Sequence, residues 1–137
     1  MPRTADAAGE RGAAVIEFVL VSVLLLTLFL GVAQVGLYLH MRNVVVASLA
    51  EGAREAANAD RDCADGAARA RELVAGAIGE RVAAGLTFDV PPGGCEVAAG
   101  GGTVLVRLRA RGPLPLLFPP VGSVSIDATA HALKEGT

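Results

Sequence analysis

Hydrophobic and polar positions divide this chain into unlike parts. From Phe18 to Leu39 there are 22 residues without a charge, bounded by Glu17 before and by His40 and Arg42 after. Leu, Val and Phe dominate the run, and Ser22, Thr27, Gln34 and Tyr38 are its polar members. As a helix it would measure about 33 Å, enough to cross the hydrocarbon core of a bilayer. The pattern predicts a transmembrane helix over residues 13–42, with 1–12 ahead of it and a domain over 43–137 behind it. Helix is expected to continue from Asn43 to Ala57, weakened by Val44, Val45 and Val46 and with a soft point at Gly52. Asn58 to Asp65 reads as a loop.

The patterning then changes period. Leu73, Val74, Ala77, Ile78 and Val82 form an apolar stripe opposite Arg69, Glu72, Glu80 and Arg81, which predicts a second helix over roughly Ala64 to Ala84. Pro91-Pro92-Gly93-Gly94 and Gly100-Gly101-Gly102 are breakers, with a short strand expected between them from Cys95 to Ala98. In Thr103 to Arg111, Val104, Val106, Leu108 and Ala110 alternate with Arg107, Arg109 and Arg111, as in a half-buried strand. Gly112 to Gly122 reads as a proline-rich loop in which Leu114, Leu116, Leu117 and Phe118 cap the core or form a docking surface. From Ser123 to Leu133, inward Val124, Ile126, Ala128, Ala130 and Ala132 alternate with Ser125, Asp127, Thr129 and His131. This last strand should pair antiparallel with the arginine strand. The expected fold class is α+β: a long N-terminal transmembrane helix continuing into a small domain with a second helix and an antiparallel sheet.

Other readings of the apolar run remain open. The residues behind it are too few to wrap it as a buried core helix. A secretory signal could end at Ala47-Ser48-Leu49-Ala50, although the apolar region is long for one. A plain signal anchor would leave residues 1–12 in place. Arg3 and Arg11 before the span balance Arg42 and Arg54 after it, so flanking charge does not orient it.

Composition narrows the function classes. The chain has 137 residues, formal net charge −2, no Trp and one Tyr. Nothing there supports nucleic-acid binding. His40 and His131 stand alone, and no metal-ligand spacing, nucleophile motif or phosphate loop is present. The expectation is a protein that is not an enzyme, with no catalytic residues, no metal and no cofactor. Cys63 and Cys95 both follow the span, which suits a disulfide in an oxidising compartment, with free thiols as the alternative. Such a bridge would contribute roughly 3–4 kcal/mol and would set the C-terminal part outside the cytoplasm.

At the mouth of the helix, Arg11-Gly12-Ala13-Ala14-Val15-Ile16-Glu17-Phe18 presents glycine, four residues, glutamate, an aromatic and then the apolar run. This resembles a prepilin processing site, where a membrane aspartyl protease cuts after the glycine. The resemblance implies cleavage between Gly12 and Ala13, with Glu17 fifth in the mature chain and Phe18 beside it. A carboxylate at the edge of a span needs a partner, and a free α-amine four residues away, or on a neighbouring subunit, supplies one.

The likeness extends further. With the apolar block around Gly31 and Glu51-Gly52-Ala53-Arg54, residues 11–62 resemble the TadE-like family, pseudopilins of tight-adherence (Flp-type) pilus machinery. Many members carry Pro where this chain has Val23, and Glu where it has Gln34. The resemblance implies a minor pseudopilin of pilus assembly or a related secretion apparatus. Its partners would be the lipid bilayer, prepilin peptidase and other pilin or pseudopilin subunits. The implied placement is single-pass in the cell membrane, N-terminus cytoplasmic. Thr27, Gly31, Gln34 and Tyr38 fall on one helical face, a candidate contact surface for another such helix. The rival is a signal-anchored or secreted small extracytoplasmic binding protein with no pilus role.

Overall fold

A computed structural model describes residues 6–58, 60–90, 95–100, 103–115 and 122–134. The element order is α1 (Asp6–Ala57), α2 (Cys63–Ile78), α3 (Glu80–Gly85), β1 (Thr87–Asp89), β2 (Glu96–Gly100), β3 (Thr103–Pro115) and β4 (Ser123–Leu133). This is an α+β chain with one long apolar N-terminal helix, shorter helices and a small antiparallel sheet. It divides into two compact units, Met1–Gly36 and Leu37–Thr137, with α1 contributing to both.

In the first unit α1 is apolar on every side. Val15, Ile16, Phe18, Leu20, Leu24, Leu26, Leu28, Phe29 and Val32 are all exposed. It is long and apolar enough to cross a membrane. In the second unit the pattern is one-sided: Met41, Val45, Ser48, Leu49, Gly52, Ala53, Ala56 and Ala57 are buried, while Arg42, Asn43, Glu51 and Arg54 are exposed. The spacing of the buried positions by three and four is that of a helix laid on a core.

The expected loop over Asn58–Asp65 is shorter than the composition suggested. Asp62 accepts hydrogen bonds at Oδ1 from the backbone N–H groups of Ala64 and Asp65, at 2.8 and 2.9 Å, and its own N–H donates to Asp65 Oδ2. This reciprocal cap starts α2 at Cys63: of the aspartates read as loop formers, Asp62 is the cap and Asp65 lies in the first turn. The single second helix expected to Ala84 is in fact two. Gly79 takes φ 121°, ψ 152°, a conformation that side-chain-bearing residues rarely adopt, and the chain restarts as α3. Gly66, Ala70 and Val74 of α2, with Ala83 and Leu86, face the core.

β3 is the centre of the sheet. β4 pairs with it antiparallel from Leu105↔Leu133 to Pro115↔Ser123. β2 pairs along Val104–Val106 and β1 along Arg109–Arg111, so these two short strands share the other edge of β3. β1 was not anticipated: three residues are too few for alternation to register, although Leu86 is buried and Phe88 half-buried. The expected strand from Cys95 is present as Glu96–Gly100, with an irregular register between Ala98 and Gly100.

The proline loop also needs correction, because β3 runs on through Gly112, Pro113, Leu114 and Pro115. The reason lies in hydrogen-bond direction. The N–H of Arg107 donates to Cys95 O at 2.7 Å, on the β2 side, whereas Val104 O accepts from Lys134 N on the β4 side. Backbone groups alternate along a strand, so the N–H groups missing at Pro113 and Pro115 would point away from β4, where β1 has already ended. Prolines there cost the ladder nothing. Leu114 is fully buried, whereas Val124, expected inside, is 40% exposed. Leu116, Leu117, Phe118 and the Pro91–Gly94 turn lie outside the described residues.

Candidate functional site: the N-terminal helix and its motif

The residues that could carry function are presented by α1, and the helix holds them in a fixed register. Gly12, Ala13, Glu17 and Phe18 lie within the continuous helix and are exposed. An added Cβ at Gly12 would meet nothing within 4 Å, so packing does not explain this glycine. Within a helix it costs about 1 kcal/mol relative to Ala. Ala13 and Glu17 are four apart and share a face.

Further along, Thr27 Oγ1 donates to Val23 O at 2.7 Å, which satisfies the hydroxyl within its own helix. Gly31 is exposed, with open space around it. Gln34 is half-buried and its Oε1 accepts no hydrogen bond from the described residues. Tyr38 is half-buried and packs against the core of the C-terminal unit. The face therefore has three members in one unit and Tyr38 in the other.

In the C-terminal unit Cys63 and Cys95 are joined, with Cα atoms 6.0 Å apart. The bridge ties the start of α2 to the start of β2. Arg109 grips Asp127 through Nε at 2.6 Å and a second N–H bond, and Arg111 Nε lies 3.3 Å from the same carboxylate. The hydrogen bonds from Arg109 hold the Asp127 carboxyl below the usual carboxylate range, and reciprocally raise the Arg109 guanidinium. Lys134 pairs with Glu96. Arg109 and Arg111 of the arginine row are thus engaged across strands, whereas Arg107 Nε is buried and meets no acceptor among the described residues. Among the described residues no group of His, Cys, Asp and Glu side chains is placed to hold a metal ion.

One feature of the chain escaped sequence reasoning. At the crossing of α1 and α2 a Cβ on Gly52 would lie 2.4 Å from Gly66 O, and a Cβ on Gly66 would lie 2.4 Å from Gly52 O. Gly52 is therefore a contact point and not a soft point. Ala53, Ala56 and Ala70 beside it repeat the small-residue spacing, which was the available signal.

No curated protein and no solved structure matches the chain. The family model described as TadE-like protein matches residues 12–54, which runs from the glycine of the motif to the last basic residue of α1. On that N-terminal segment, about a third of its length, the chain is similar to the TadE-like family.

Proposed function

We propose that this protein is a minor pseudopilin acting in the assembly of a tight-adherence (Flp-type) pilus or a related secretion apparatus. The observation that carries the reading is the TadE-like match that opens at Gly12 and covers the apolar helix. In this reading the N-terminus is cytoplasmic, and prepilin peptidase cleaves between Gly12 and Ala13. The new amine of Ala13, or that of a neighbouring subunit, then partners the Glu17 carboxylate at the membrane boundary. A buried charge of that kind is costly when alone, so the pairing favours a bundle over an isolated helix.

Thr27, Gly31 and Gln34 form the stripe facing the neighbouring helix, with Tyr38 at its end. Small residues allow close backbone approach, and the Gln34 amide adds a polar group to the stripe. The C-terminal unit lies outside the cytoplasm, where its disulfide is stable. The role is structural, without catalysis or cofactor.

The test is the mass and N-terminal sequence of the mature protein from its native membranes. A start at Ala13, together with failed assembly but intact insertion of Glu17→Ala, is the expected result. An intact leader with assembly unaffected by Glu17→Ala would mean a plain signal anchor. A start near Glu51 would mean a secreted domain.

A further inference from the structure

β4 forms one edge of the sheet. It pairs with β3 along its whole length, and among the described residues no strand lies on its other side. The hydrogen-bond alternation derived above assigns the backbone of Ile126, Ala128, Ala130 and Ala132 to β3. The N–H and C=O groups of Ser125, Asp127, Thr129 and His131 therefore point to the free edge. Solitary edges are usually guarded by shortness, proline, lysine or a bulge. β4 is 11 residues long, contains neither Pro nor Lys, and keeps an unbroken register.

Near its end the edge is also accessible. Arg54 and Ala57 of α1, with Asn58 just after it, line an open cavity of about 350 Å³ together with His131, Ala132 and Leu133. His131 and Leu133 face one side of the sheet and Ala132 the other, so this cavity lies along the strand edge.

We propose that the free edge of β4 pairs antiparallel with β4 of a second copy of this chain, centred on Thr129. Hydrogen-bond phase and side-chain pairing select this register. With Thr129 opposite its own counterpart, Asp127 of each copy faces His131 of the other, and Ser125 faces Leu133. All are residues whose backbone groups point outward, so every pair exchanges N–H···O bonds. Thr–Thr pairs are favourable across strands, and the Asp127 carboxylate of one copy can accept a hydrogen bond from the His131 ring of the other. Centring on Asp127 would oppose two carboxylates, and centring on His131 would oppose two imidazoles. The pairing joins the two sheets into one, with a two-fold axis at Thr129. It uses only the C-terminal unit and so holds whether or not the leader is removed.

The test uses the full chain in detergent-solubilised membranes. Thr129→Cys with a short thiol-reactive crosslinker is expected to give a homodimer. Thr87→Cys, on the opposite edge of the sheet, is expected to give none. Thr129→Pro removes only an N–H that points to the free edge, so the monomer ladder and the Cys63–Cys95 bridge should persist while the dimer, read by light scattering, is lost. Should that variant misfold, Asp127→Lys is expected to abolish the dimer and the added change His131→Glu to restore it. Failure of Thr129→Cys to crosslink, equal crosslinking from Thr87→Cys, or capture only of a different protein would each overturn the proposal. An Ala13 start bears on the pilus reading alone.

Discussion

The two parts of α1 share one helical backbone and obey opposite solvent rules. Around Leu26 the helix is apolar on all sides, and Leu26 itself is 59% exposed. Around Leu49 the apolar residues keep to one side, and Leu49 is fully buried. A helix that is hydrophobic all round needs a surrounding apolar phase, whereas a striped one needs only a domain to lie on. The difference is written in residue choice: Leu, Val and Phe everywhere in the first part, Ala and Gly inward with Arg and Glu outward in the second. The same helix is thus apolar enough to cross a membrane in one unit and a core element in the other.

Substitutions should separate the two regimes. The largest contrast is expected between Leu49→Ala and Leu26→Ala. The first leaves a cavity in the C-terminal unit and should lower its unfolding free energy by about 2–5 kcal/mol. The second should leave that unfolding within about 0.5 kcal/mol of the parent, and both are read by denaturant titration in detergent. Equal effects would erase the distinction. Next, Cys63→Ser should cost roughly 3–4 kcal/mol by releasing the loop between the cysteines, with membrane insertion unchanged in a carbonate-extraction assay.

Smaller in effect, Gly52→Ala should cost about 1–3 kcal/mol by overpacking the crossing with Gly66. The same change at Gly31, where an added Cβ meets nothing, should not lower that unfolding free energy. The smallest effect concerns pH and is confined to the sheet. Asp127 has a folded pKa below its ordinary 3.8. Its contribution is therefore in place above that ordinary value and is lost as pH falls through the lowered folded one. Asp127→Asn should flatten the acid limb of the stability curve, read by denaturant titration at stepped pH.

Much of this was legible in the residues. A run of 22 uncharged positions announces a membrane-length helix in any context, because no small domain can cover it. Strict alternation in Val104–Ala110 and Ile126–Ala132 likewise gave two paired strands, since a pleated surface repeats every two residues. Gly12 and Glu17 stood out by their spacing at the mouth of the helix together with the resemblance to a prepilin processing site.

What local pattern determined by itself was element type: the apolar helix, the two long strands, and the two cysteines on one side of the span. Tertiary structure decided everything that depends on which atoms approach from elsewhere in the chain. Gly52 looks like a flaw until Gly66 arrives against it. Pro113 and Pro115 look like strand breakers until the ladder shows that their missing donors face no partner. β1 exists because Arg109–Arg111 offers it an edge, and its three residues carry no period of their own. Sequence states each residue's own preferences. The hydrogen-bond direction of a distant strand, and the clearance between two helices, arise only when the chain has closed on itself.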